Sequence, residues 1–310
     1  MMGDTLHDLI FDYTLRNVAL GSALLGIVSG ILGSFAVLRR QGLLGDTLSH
    51  AALPGICIAF LLTGSKEPLV LLLGAGVAGW IGSLLMLWIV RETVLSEDSA
   101  LGIILSTFFG LGIVLLSLIQ QRNDANQAGI DKYLFGQAAA LVEKNVITFA
   151  ILGGIALSIL FILYKEFKLL TFDPEFANTM GFNSTLLSVL MTTLLVISIA
   201  IGLQTVGVVL MAAMIIGPGA AARQWTNRLG IMLLLGGLFG GASGVIGAVL
   251  SVTGSDLPTG PMIILSLSAI VTFSLLFGTA QGIVWDWLRT RRQRGRLIAP
   301  PAIGESELPV

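Results

Sequence analysis

The residues of this chain best placed to do chemistry are an aspartate and a histidine four positions apart, in Gly45-Asp46-Thr47-Leu48-Ser49-His50, followed by Pro54. On a helix that spacing sets both side chains on one face. The segment lies in an apolar run, where an Asp near a bilayer centre costs on the order of 2.5–3.5 kcal/mol. Something has to offset that cost. One reading is a divalent metal ion, which accepts an oxygen and a nitrogen donor and cancels the buried charge. The other is structural: Asp46 caps the helix by accepting from backbone amides and His50 packs behind it. Pro54 has no N–H, which frees the carbonyl of His50 and loosens the helix beside the pair.

Two donors make an incomplete site. A second copy, or a paralogue with the same motif, would complete a four-ligand cage across a two-fold axis. Oxygen and nitrogen donors suit manganese, zinc or iron better than Cu(I). Cys57, the lone cysteine, reads as a small packing residue and excludes an internal disulfide.

A second segment carries local signals of a different kind. In Phe172-Asp173-Pro174-Glu175-Phe176-Ala177-Asn178-Thr179-Met180-Gly181, Asp173 suits an N-cap, Pro174 the first helical position and Gly181 the residue past the end. Phe172, Phe176 and Met180 fall at spacing four. Two turns of helix are not stable alone. The segment therefore docks either into a groove on a soluble partner or against the chain's own helix ends.

The motifs that are missing narrow the function. There is no GxxxxGK[ST] phosphate loop, no HExxH and no GxSxG, and the two histidines are His7 and His50. If ATP drives this protein, the nucleotide binds another polypeptide. A metalloenzyme would need a further ligand and a general base, and an ion-coupled carrier would need more intramembrane carboxylate than Asp46.

The elements that must position these residues follow from composition. With 55% hydrophobic and 11% charged residues among 310, the chain has too little polar surface for a water-soluble domain and reads as an all-α integral membrane protein. A net charge of -1 argues against nucleic acid as a partner. The 38 glycines indicate close helix packing, and Gly236, Gly240 and Gly244 form a packing face. Apolar runs at 17–38, 43–63, 68–90, 100–119, 146–164, 230–252 and 258–278, with a hairpin of two spans within 185–222, predict nine transmembrane helices.

Basic residues give the orientation. Nine alternating spans put Arg39, Arg40, Arg91, Lys165, Lys168, Arg223, Arg228 and the C-terminal arginines from Arg289 to Arg296 on one side; Arg16, Lys66, Arg122, Lys132 and Lys144 fall on the other. The expected topology has the N-terminus extracytoplasmic and the C-terminus cytoplasmic. The expected organisation is an extracytoplasmic segment 1–16, a transmembrane domain 17–288 and a basic, disordered cytoplasmic tail 289–310. The acidic start of the chain does not look like a cleaved secretory signal.

Four segments taken together resemble the membrane permease of the ABC-type manganese, zinc and iron uptake family. They are Gly45 to Gly55, Glu97-Asp98-Ser99-Ala100-Leu101-Gly102, Phe172 to Ala177 with Gly181, and Asp256-Leu257-Pro258-Thr259-Gly260-Pro261. Pro218, between Gly217 and Gly219, agrees with the family's proline late in the hairpin. The resemblance implies a permease of a prokaryotic cell membrane that pairs with a second permease subunit, identical or paralogous. It also implies two ABC ATPase subunits that bind the ATP, and an extracytoplasmic metal-binding protein. In that picture Asp46 and His50 are metal ligands in the translocation path. Phe172, Asp173, Pro174, Glu175, Phe176, Ala177, Met180 and Gly181 form the short cytoplasmic coupling helix, and Lys66, Glu67 and Asp256 meet the binding protein. The chain has no cofactor of its own; its cargo is manganese, zinc or iron. Alternating access moves the ion. The nearest rival is an ABC permease for a metal chelate such as a siderophore.

Overall fold

Apolar runs of this length become helices because lipid offers the backbone no hydrogen-bond partners, so every amide must pair within its own segment. The computed structural model describes residues 13–121, 136, 141–253 and 257–285, and among these it contains eleven helices and no strand. They are α1 Tyr13–Leu38, α2 Leu44–Thr63, α3 Pro68–Glu92, α4 Glu97–Gln120, α5 Glu143–Ile162, α6 Tyr164–Phe172, α7 Pro174–Thr179, α8 Ser184–Thr205, α9 Val208–Arg223, α10 Leu229–Thr253 and α11 Thr259–Phe277.

Eight of these are long and apolar enough to cross a membrane. The ninth expected span, α9, has 16 residues and is about 24 Å long, short of a hydrocarbon core of about 30 Å. It can be short because protein surrounds it. Packed among α1, α2, α10 and α11, with Met211, Met214, Ile215, Ala221 and Ala222 fully buried, it leaves little backbone for lipid to meet. The break before it falls at Gly207, whose φ of 83° lies in the left-handed region that favours glycine.

Three contacts make α8 and α9 a hairpin. Ser188 lies beside Arg39 at one end of α1, Gln204 donates to the Pro68 carbonyl at the opposite end, and Gly219 has returned to Ser34. The same contacts sort the connections into two ends. At one end Gln41 bonds Glu97, Arg39 meets α8, Tyr164 approaches Gly230, and the amides of Ala280 and Gln281 donate to the Gln224 carbonyl. Arg39, Arg40, Arg91, Lys165, Lys168, Arg223 and Arg228 gather there. The other end carries Arg16, Lys66 and Lys144 among the described residues.

The packing face expected on the penultimate span is the longest seam of the molecule. Along α10, Gly236, Gly240 and Gly244 meet Gly30, Gly26 and Ser22 of α1 so closely that a Cβ on Gly26 or Gly240 would overlap the opposing carbonyl oxygen. Small residues let two backbones touch, which is what drives helix association where the surrounding lipid is as apolar as the helices. Gly240→Leu is therefore expected to lose about 3 kcal/mol or more of stability, whereas Gly154→Ala, with open space around it, stays near neutral. Thermal unfolding of the two variants in detergent checks this.

Candidate metal site and partner-facing helix

α2 starts at Leu44, with Leu43 in the cap position and no side-chain cap bond. Asp46 is therefore inside the first turn, not at the N-cap. Its carboxylate still benefits from the positive end of the helix dipole. One turn on, His50 Nε2 stands 3.3 Å from Asp46 Oδ1, with the histidine side chain 15% and the aspartate 35% exposed. The pair sits at the surface of the bundle. Thr47, Leu48 and Ser49 between them are buried.

Three neighbours hold the pair. Gly45 lies close against Ile215 and Ala212 of α9, which backs the start of α2. Phe109 of α4 meets the imidazole edge-on, with ring centroids 4.6 Å apart at 76°. Pro54 lies one turn beyond His50 within α2. His50 Nδ1 is enclosed without a hydrogen-bond partner. Cys57 is buried, its thiol directed at the Gly112 carbonyl at 3.8 Å, which is the packing role expected.

The 3.3 Å separation bears on what the pair can do. A carboxylate bonded to a charged N–H typically closes to about 2.7–2.9 Å. Two donor atoms about 2.0–2.1 Å from one ion, at the tetrahedral angle, stand about 3.3–3.4 Å apart. The two donor atoms are therefore close enough to contact one ion together. Among the described residues no cluster of three or more His, Cys, Asp or Glu that could hold a metal ion exists.

Behind the pair, at the basic end, lies a polar contact the sequence did not announce. Gln41 Nε2 donates to Glu97 Oε2 at 3.1 Å, joining the α1–α2 turn to the first turn of α4. Arg39 reaches Ser188 Oγ at 3.5 Å; burial pulls its guanidinium below the usual range and the negative charge of Glu97 pushes it back. Glu97→Ala removes the acceptor and the countercharge together, with an expected loss of about 2 kcal/mol. A lower melting temperature in detergent is the readout.

The second segment folds as its residues suggested. Asp173 Oδ1 accepts from the Phe176 amide at 2.9 Å, Pro174 opens α7, and Gly181 takes a φ of 88°. Ala177 is buried, but Phe172, Phe176 and Met180 are 57%, 50% and 60% exposed, and Glu175 is exposed. Three large apolar side chains thus project from the basic end, away from the chain's own helix ends. At the other end Lys66 and Glu67 are exposed on the α2–α3 turn; Asp256 lies outside the described residues, as do the tail from 289 and most of segment 1–16.

Comparison with known proteins adds the relatives. A family model described as "ABC 3 transport family" matches residues 11–278. The zinc transport system membrane protein TroC of Treponema pallidum is 45% identical over 287 residues, covering 93% of this chain and 96% of that protein. The manganese transport system membrane protein MntC of Bacillus subtilis is 46% identical over 279 residues, which span 90% of this chain and 64% of the relative. Among solved structures, PsaBC from Streptococcus pneumoniae in complex with Fab aligns with a TM-score of 0.80 at 27% identity, covering 94% of this chain and all of that one.

Proposed function

This chain belongs to the ABC 3 transport family, as a multi-pass membrane permease whose ATPase is a separate subunit, and from that premise we propose that it carries a divalent metal ion through a site shared by two permease subunits. The observation that carries this reading is the Asp46–His50 pair, partly exposed at the bundle surface with the two donor atoms 3.3 Å apart. Two such pairs facing each other supply two carboxylates and two imidazoles, a set that suits zinc, manganese or iron. The cargo neutralises the carboxylates, which sit in the first turn of α2.

The excess of basic residues at the α6–α7 end supports a cytoplasmic position for it. There α7, with Phe172, Phe176 and Met180, is the element received by the ATPase, and Lys66 and Glu67, exposed at the other end, meet the protein that delivers the ion, a role the sequence also suggests for Asp256. Closure of the ATPase pair moves α7 and with it the bundle, so the affinity of the Asp46–His50 site differs between states. Manganese and zinc both fit these donors, and the Irving–Williams order makes zinc the tighter of the two in any fixed O/N site; the relatives are correspondingly named for both. Selectivity therefore rests on geometry and delivery.

A compact two-pair site takes a bare ion, and a chelate permease needs a wide cavity instead. Cells expressing the complete transporter are expected to accumulate radioactive manganese or zinc supplied without chelator. Accumulation only when a chelator accompanies the ion contradicts the proposal.

A further inference from the structure

A cavity of about 900 Å³ opens between α1, the α5–α6 junction and α10, lined by Ile27, Ile31, Phe161, Tyr164, Gly237 and Gly241 among others. It exists because α10 presents Gly237 and Gly241 where larger residues would fill the gap: a Cβ at either would press on Ile31 or Ile27 at 3.0 Å. Of its lining residues Phe161, Leu234 and Leu238 are more than half exposed, while Ile31 and Leu233 are buried. From Gly230 to Val245, both in its lining, it follows α10 for about 22 Å. That is more than half of a hydrocarbon core of about 30 Å.

The two ends of the groove differ. Around Ala23 and Val245 it is apolar; at the basic end it terminates between Tyr164 and Gly230. Tyr164 brings a hydroxyl to that rim, Lys165 follows it, and Arg228 stands two residues before Gly230, both cations exposed. Glu166, the acid in this stretch, is partly buried with Oε2 enclosed, so among the described residues flanking Tyr164 and Gly230 the exposed charges are those of Lys165 and Arg228. An apolar trough with a cationic mouth at the membrane surface matches a molecule with an anionic head and a hydrocarbon tail.

We infer that this groove binds an anionic phospholipid, with one acyl chain along α10 beside Gly237 and Gly241 and the phosphate between Lys165, Arg228 and the Tyr164 hydroxyl. A second copy of the chain is the competing occupant. The groove helices α1, α5, α6 and α10 share no extensive packing with α2 or α4, so the groove is built from elements other than those that carry Asp46, His50 and Phe109. The lipid site is independent of the metal reading.

The test reconstitutes the full chain in vesicles of phosphatidylglycerol and phosphatidylcholine in equal parts, re-extracts it in mild detergent and weighs it intact by native mass spectrometry. Phosphatidylglycerol is expected to be retained in preference to phosphatidylcholine. Lys165→Ala and Arg228→Ala each lower its retention about fivefold without changing that of phosphatidylcholine. Ala242→Trp, at an exposed lining position, fills the trough and expels both lipids; Leu62→Trp, at an exposed position on another helix, changes nothing. Equal retention of the two lipids by the parent chain, or unchanged retention in Ala242→Trp, overturns the inference. So does an Ala242→Trp variant whose main effect is to split a dimer.

Discussion

Replacing Asp46 and His50 together by alanine is expected to lower metal uptake by the complete transporter on the order of 100-fold or more, leaving its assembly and basal ATP hydrolysis unchanged. The magnitude follows from the ligand count. Loss of a residue that only supports a metal ligand costs 10–100-fold, and this change strips every proposed donor from both halves of the site. Assembly survives because both side chains are partly exposed at the bundle surface, while α2 is held by Leu48, Leu53 and Ile56, which are buried. His50→Gln separates a ligand from a packing residue: it keeps much of the side-chain volume against Phe109 and removes the imidazole. Uptake falls in that variant if His50 binds the ion and persists if it only packs.

The second large effect belongs to α7. Phe176→Asp is expected to release the ATPase subunit on purification, because it replaces an exposed apolar side chain, one of three at this end with Phe172 and Met180, by a carboxylate. Truncating an interface anchor costs about 2 kcal/mol or more, roughly 30-fold in affinity, and a buried unpaired charge adds to that. Folding is unaffected, since Phe176 is half exposed and the cap from Asp173 to the Phe176 amide uses backbone. Ala177→Asp at the adjacent buried position would instead disturb the chain itself. Co-purification of the ATPase with the Phe176 variant at the level of the parent contradicts the assignment of α7.

The parts of this structure that were legible in the sequence are those set by local chemistry. Pro174 after Asp173 and the glycine at 181 encode α7 with its cap and its left-handed exit, and the structure has both. The spacing of Asp46 and His50 encodes a shared helical face, because one turn of helix returns the side chain to the same side. Gly236, Gly240 and Gly244 encode a seam through their period alone, although nothing local says that Gly26 and Gly30 of α1 are its other half.

What was not legible depends on tertiary enclosure. The run 185–222 predicts two spans, but the shortness of α9 reflects its burial among four other helices, which no local pattern reports. Asp46 looked suited to an N-cap, yet α2 begins two residues earlier because the turn bond from the Leu44 amide to the Gln41 carbonyl starts the chain winding there. Phe109 carries no mark that distinguishes it from other aromatic residues on a lipid-facing helix; only the packing of α4 on α2 brings it to the imidazole. Gln41 and Glu97 find each other for the same reason.

The most direct measurement of the shared site is X-ray absorption of zinc or manganese bound to the purified complete transporter, with the ion counted per permease chain. The account predicts one ion for every two permease chains, a first shell that contains imidazole nitrogen and carboxylate oxygen, and loss of the nitrogen scattering in His50→Gln. One ion in each chain, or a nitrogen shell that survives His50→Gln, would contradict it.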